Sequence, residues 1–130
     1  MTSTMMTLAI VDDDDDVRRA LSRLLRSMGH QVRVFASAEA FQAETVVADC
    51  VIVDVRLPGQ NGLELREHLR NRPVPTPVVL ITGDGDRLAH DAPHAVDAPL
   101  VTKPFDDSVL AEAIASAISL ARSRGELHEP

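Results

Sequence analysis

The sequence contains no tryptophan and no tyrosine, and its only aromatic residues are Phe35, Phe41 and Phe105. It has a single cysteine, so neither a disulfide within the chain nor a cysteine-rich metal site can form. Cys50 lies in the apolar run CVIV, which predicts a buried, unreactive thiol. The core must therefore be built mainly from aliphatic side chains, which an apolar fraction of 45% can supply.

Positive charge is also scarce, because 13 lysines and arginines face 20 aspartates and glutamates, giving a net charge of −7. A nucleic-acid-binding surface needs a basic stripe, so we predict no direct nucleic-acid binding. The start MTSTMMT lacks the pattern of a signal peptide, and no apolar run is long enough to span a membrane. These absences predict a cytoplasmic protein that does not contact the membrane.

Five short apolar runs, rich in β-branched residues, are typical of strands. They cover residues 8–11, 31–35, 50–53, 78–81 and 100–101. Most are apolar throughout, which indicates a parallel sheet buried on both faces.

Helical patterns separate these runs. The first has an apolar stripe that ends before Gly29, and the second is capped by Ser37 and runs to about Val47. A third is capped by Asn61, and a final amphipathic helix covers residues 109–121. Residues 86–99 should hold one more helix, which Pro93 makes short or distorted. The alternation predicts a doubly wound α/β sandwich in one domain.

A polar side chain follows four of the predicted strands. Asp12 and Asp13 follow the first, Asp54 the third, Thr82 the fourth and Lys103 the fifth. Ligand sites of open parallel sheets lie beyond the carboxyl ends of the strands. We therefore expect three carboxylates, a hydroxyl and an ammonium to meet at one edge of the sheet.

Three carboxylates in one pocket need cations to remain ionised. Mg²⁺ suits them, since it prefers carboxylate oxygens, waters and a phosphoryl oxygen, and Lys103 adds another positive charge. A cation, an ammonium and a hydroxyl donor are what phosphoryl transfer requires, and a carboxylate can act as the nucleophile. In the run of five aspartates, Asp12 and Asp13 then belong to the site, whereas residues 14–16 favour the N-terminus of the first helix.

The segments IVDDDDD, VIVDVRLPGQNGLEL, VVLITGDGD and LVTKPF resemble the signature segments of response-regulator receiver domains of two-component signalling. The resemblance covers about residues 7–121. It implies a (βα)5 fold with a five-stranded parallel sheet in the flavodoxin-like order 2-1-3-4-5. The receiver domain would occupy residues 1–122, and residues 123–130 would be a frayed tail or the start of a linker.

Residue by residue, the resemblance implies that Asp54 is the phosphoacceptor. Asp13 would coordinate Mg²⁺ directly and Asp12 through a bound water. The backbone carbonyl of Arg56 would be a further metal ligand.

The same resemblance implies that Thr82 hydrogen-bonds the phosphoryl group and that Lys103 pairs with it. A cis peptide bond before Pro104 would aim the ammonium inward, and Gly83 would leave the phosphoryl site open. Leu100 departs from the family pattern, which has phenylalanine or tyrosine there. Leu100 and the segment PHAVDAP both fall on the family's usual output face.

The predicted function is a signalling switch that receives a phosphoryl group from a sensor histidine kinase or a histidine phosphotransfer protein. Its only enzymatic activities would be its own phosphorylation and dephosphorylation. The details resemble receivers that precede a helix-turn-helix output module, which implies transcriptional control and homodimerisation on phosphorylation. Two alternatives stay open: an interaction module that is independent of phosphorylation, and an aspartyl-phosphate hydrolase of the haloacid-dehalogenase type.

Overall fold

The computed structural model describes residues 5–44, 46–73, 75–83 and 98–123. Within these ranges, five strands form one parallel sheet in the order β2-β1-β3-β4-β5. The strands are β1 (Thr7–Val11), β2 (Gln31–Phe35), β3 (Cys50–Asp54), β4 (Val78–Thr82) and β5 (Leu100–Thr102). The predicted strand positions and the flavodoxin-like order are confirmed.

The described ranges contain four helices: α1 (Asp15–Ser27), α2 (Ala38–Ala43), α3 (Gly62–Arg70) and α4 (Asp107–Ser123). Helices α2 and α3 pack on one face of the sheet, and α1 and α4 pack on the other. This arrangement is the predicted doubly wound sandwich. The helix predicted for residues 86–99 lies mostly outside the described residues, and so does the tail predicted from residue 123 onward. No helix in the described ranges is long and apolar enough to cross a membrane.

The sheet separates two apolar clusters, because successive side chains of a strand point to opposite faces. Ala9 of β1 belongs to the cluster with α2 and α3, whereas Leu8 and Ile10 belong to the cluster with α1 and α4. Both faces of the central strands are therefore shielded from solvent, which explains their continuous apolar runs. Cys50 lies in the second cluster, and burial raises the pKa of its thiol to about 12, as expected of an unreactive thiol.

The ends of α1 and α3 follow from local side chains. The Asp14 carboxylate accepts hydrogen bonds from the backbone N–H groups of Asp16 and Val17, which caps α1. Gly29, with a φ of 94°, follows the end of α1. Asn61 caps α3 in a reciprocal capping box with Glu64.

The predicted extent of the second helix was wrong, because α2 ends at Ala43 rather than near Val47. Glu44 already has extended backbone angles, with φ −105° and ψ 145°. Val46 and Val47 are β-branched and lose side-chain freedom in a helix, so they favour the extended chain that leads into β3.

Phe41 is the main aromatic anchor of α2. It is 2% exposed, and its ring meets that of Phe35 edge to face with centroids 5.3 Å apart. We expect Phe41→Ala to lower the free energy of unfolding by about 3–5 kcal/mol, because it removes this contact and leaves a cavity. Urea denaturation followed by circular dichroism would measure the loss. Val47→Ala, at a position 86% exposed, is the control and should stay within about 0.5 kcal/mol of wild type.

Candidate functional site

An acidic cluster lies at the carboxyl ends of β1 and β3. These strands are neighbours, with Val11 paired to Val53, so the residues after them lie side by side. One carboxylate oxygen from each of Asp12, Asp13 and Asp54 lies within 4.8 Å of the others. Asp12 and Asp54 are buried and Asp13 is exposed. The predicted convergence of the three carboxylates is therefore present in the structure.

Lys103 brings a positive charge to this cluster from the end of β5. Its Nζ lies 3.2 Å from Asp54 Oδ2 and 3.8 Å from Asp12 Oδ2. The Lys103 backbone N–H donates to the Thr82 carbonyl oxygen at 2.9 Å, which anchors the base of the side chain to β4. The Lys103–Pro104 peptide bond is cis, as the sequence pattern indicated. The ammonium thus reaches past β4 to the carboxylates.

The carboxylate of Asp54 is held by both oxygens. Oδ2 accepts from the Lys103 ammonium, and Oδ1 accepts from the backbone N–H of Arg56 at 2.8 Å. The backbone just after the strand therefore folds back on the carboxylate. This contact brings Arg56, a predicted metal ligand through its carbonyl, next to the acidic cluster.

Asp12 is the most buried of the three acids. Its Oδ1 accepts from the Asp14 backbone N–H at 2.9 Å, while its buried Oδ2 has no hydrogen-bond partner within the described residues. The pKa of Asp12 is raised to about 6, chiefly by burial and also by the nearby Asp54, while the hydrogen bond from Asp14 and the charge of Lys103 oppose the rise. A buried carboxylate oxygen without a donor is costly, and a bound cation would relieve that cost.

The donor set fits a hard divalent cation. It offers clustered carboxylate oxygens, one of which accepts no hydrogen bond from the described residues, and the described part of the site contains no thiolate or imidazole ligand. Hard cations such as Mg²⁺ prefer oxygen ligands of this kind. The acidic cluster is therefore suited to hold a metal.

Thr82 and its neighbours complete the edge. Thr82 is fully buried at the end of β4, and its hydroxyl donates to the Gly83 carbonyl oxygen at 3.3 Å. A Cβ built on Gly83 would meet no described atom within 4 Å, which agrees with an open position there. Leu100 is 40% exposed on β5, so much of its side chain faces outward.

Two further residues shape the site: Arg18, which was not predicted to, and Gly62, which matches the turn after Asp54 in the family that the sequence resembles. Arg18 on α1 donates from its guanidinium to the Asp12 backbone carbonyl at 2.7 Å and pairs with Asp15. Gly62 begins α3 against the backbone at the end of β3: a Cβ there would overlap the Asp54 carbonyl oxygen and lie 2.9 Å from Val55 Cα. Arginine in the first turn of α1 and glycine at the start of α3 were visible in the sequence, but their contacts were not.

A groove of about 350 Å³ runs beside α1, outside the acidic cluster. It is lined by four arginines, Arg18, Arg19, Arg23 and Arg26. Asp15, Ser22 and Val34 complete the lining. The acidic chain therefore carries a local basic surface, which its net charge of −7 conceals.

The comparisons with known proteins agree with this fold. Residues 8–115 match the family described as the response regulator receiver domain. The chain belongs to this family, and it is a receiver domain, a signalling switch of two-component systems.

Its relatives include transcriptional regulators. The chain is 39% identical to the transcriptional regulatory protein FixJ of Azorhizobium caulinodans over 119 residues, covering 89% of this chain and 56% of FixJ. It is 36% identical to the response regulator protein TodT of Pseudomonas putida over 124 residues, covering 93% of this chain and 55% of TodT. The crystal structure of FixJ-N superposes with a TM-score of 0.79 at 35% identity, covering 90% of this chain and 96% of that one. The chain thus spans about half the length of the curated relatives it matches.

The titration of Asp12 gives a pH-dependent prediction. Its folded-state pKa, about 6, lies above the ordinary 3.8, so the folded protein holds this proton more tightly than the unfolded chain. The corresponding stability is fully present below about pH 3.8 and is lost as the pH rises through about 6. Without divalent cations, we expect Asp12→Asn to gain roughly 1–3 kcal/mol relative to wild type across this window. Urea denaturation in EDTA at several pH values measures it; a pH-independent difference would contradict the assignment.

Gly62 gives a steric prediction. We expect Gly62→Ala to lower the free energy of unfolding by roughly 2–4 kcal/mol, because the new methyl group must displace α3 from the backbone at Asp54. Gly83→Ala is the matched control, since a Cβ there meets no described atom within 4 Å and should change stability by less than about 0.5 kcal/mol. Equal melting temperatures of the two variants in thermal denaturation would show that α3 does not approach the strand this closely.

Proposed function

We propose that Asp54 accepts a phosphoryl group from a phosphohistidine of a sensor histidine kinase or of a histidine phosphotransfer protein. Mg²⁺ would be held by Asp12, Asp13, Asp54 and the backbone carbonyl of Arg56. The observation that carries this proposal is the Lys103 ammonium 3.2 Å from the Asp54 carboxylate, within a cluster of three acids. Such a cluster can bind a cation and a dianion together.

In the transfer step, a carboxylate oxygen of Asp54 attacks the phosphorus. The phosphorus–nitrogen bond breaks, its electron pair stays on the imidazole nitrogen, and an acyl phosphate forms on Asp54. When bound, Mg²⁺ neutralises charge on the phosphoryl oxygens. Asp12, with a pKa of about 6, is mostly ionised at neutral pH. Its Oδ2, which accepts no hydrogen bond from the described residues, would therefore be available to the cation as a negatively charged ligand atom.

The switch would use the two residues at the ends of β4 and β5. The Thr82 hydroxyl, now on the Gly83 carbonyl at 3.3 Å, would turn to a phosphoryl oxygen, and Lys103 would pair with the same group. Because these bonds exist only in the phosphorylated state, they would shift the population toward an active conformer. Slow hydrolysis of the acyl phosphate by the domain itself would reset it.

We infer a transcriptional output from the relatives, which include a transcriptional regulatory protein of which this chain covers 56%. Homodimerisation on phosphorylation is the simplest route to such an output. The basic groove beside α1 starts at Asp15, next to the site, and it offers a docking surface for acidic side chains of the donor protein.

Phosphorylation by acetyl phosphate tests the acceptor. With Mg²⁺, wild type should gain one phosphoryl group, detected by intact mass and mapped to Asp54, and EDTA should suppress the labelling. Asp54→Asn should gain none, because the amide is not a nucleophile, whereas Asp107→Asn, an exposed control at the start of α4, should match wild type.

Other results would favour the alternatives. Label retained in Asp54→Asn would exclude the assigned acceptor. Sustained turnover of p-nitrophenyl phosphate would favour a hydrolase. A wild type that never becomes labelled, with self-association identical to that of Asp54→Asn, would favour a phosphorylation-independent interaction module.

A further inference from the structure

Helix α2 contacts the loop that follows the acceptor strand. We call residues 55–61 the acceptor loop. The Glu39 carboxylate on α2 accepts a hydrogen bond from the Gln60 backbone N–H, with Oε2 2.9 Å from the nitrogen. Gly59 has a φ of 73°, and a Cβ there would lie 2.6 Å from the same oxygen. The carboxylate therefore lies against the bare face of a left-handed glycine, at the tip of the loop.

The rest of the acceptor loop is held at its two ends. The Arg56 N–H donates to Asp54 at one end, and the Gly62 N–H donates to the Val55 carbonyl at the other, at 3.0 Å. Leu57 is buried in the same apolar cluster as Phe41 of α2. The acceptor loop is thus held to α2 in two ways: by the hydrogen bond to Glu39 and by the apolar packing of Leu57.

The charge state of Glu39 suits this contact. Donation from Gln60 lowers the pKa of Glu39 below its ordinary value, although the carboxyl is exposed. The group is therefore ionised at neutral pH, and charge-assisted hydrogen bonds are stronger than neutral ones.

We propose that Glu39 is a positioning residue. By holding Gly59 and Gln60, it fixes the acceptor loop, and with it the Arg56 carbonyl, relative to Asp54. Through this contact, α2 sets the affinity of the site for Mg²⁺. This inference rests on the proposed function, in which that carbonyl is a metal ligand. Ligand orientation by groups outside the coordination sphere commonly controls metal affinity.

Substitution of Glu39 tests the inference by two independent measurements. Calorimetry gives the Mg²⁺ dissociation constant, and NMR gives the hydrogen-exchange rate of the Gln60 amide. Glu39→Ala should raise the dissociation constant roughly three- to tenfold, near the low end for orienting groups, and should speed exchange at Gln60. Glu39→Gln keeps an acceptor oxygen and should stay within about twofold of wild type on both.

Glu44→Ala is the matched control. Glu44 is an exposed carboxylate at the end of the same helix, but it pairs with Arg33 rather than with the loop. It should leave both measurements unchanged, which separates loss of the contact from loss of negative charge near the site.

The outcomes separate the two proposals. If wild type binds Mg²⁺ and Glu39→Ala binds it equally well, the positioning role is overturned while the proposed function stands. Weaker binding with unchanged exchange at Gln60 would also overturn it, since the effect would not pass through the loop. If wild type itself fails to bind Mg²⁺, the proposed function fails first.

Discussion

The ammonium of Lys103 reaches the Asp54 carboxylate from β5, two strands away in the sheet, and the rest of the site depends on this contact. Without it, the carboxylates of Asp12 and Asp54 would lose the ammonium that lies beside them. The contact requires a short edge strand of three residues to pair with β4, and the backbone bond from Lys103 to Thr82 closes that pairing. The pairing of the strands therefore also brings the Lys103 ammonium to the Asp54 carboxylate, because the two groups meet only when the strands are in register.

Asp12, the buried acid beside the Lys103–Asp54 pair, shows how the site lowers the stability of the fold. Asp12 has a carboxylate oxygen with no donor among the described residues, and burial raises its pKa to about 6. A protein selected for stability alone would place an amide or an apolar residue there. The cost is understandable if a cation satisfies that oxygen when the domain works, so a destabilising feature of the fold becomes a functional one.

The backbone around Asp54 is fixed by groups from three elements. Arg56 holds the carboxylate from its own loop, Gly62 lets α3 approach the carbonyl, and Glu39 holds the loop tip from α2. These contacts come from α2, α3 and the loop itself, so the geometry around Asp54 depends on how these elements pack.

Much of this molecule was predictable from local sequence. The short apolar runs predicted the five strands, of which β3 and β4 are buried throughout, and the polar residues that follow four of them placed the carboxylates, Thr82 and Lys103 at one edge, because parallel strands all point the same way. Only the tertiary structure decided the end of α2, the orphan oxygen of Asp12, and the contact of Glu39 with Gln60, 21 residues away. The period of the apolar residues shows which face of a helix or strand is buried. A hydrogen bond between distant residues depends instead on how the helices pack and on the burial that this packing creates, which no single segment of the sequence encodes.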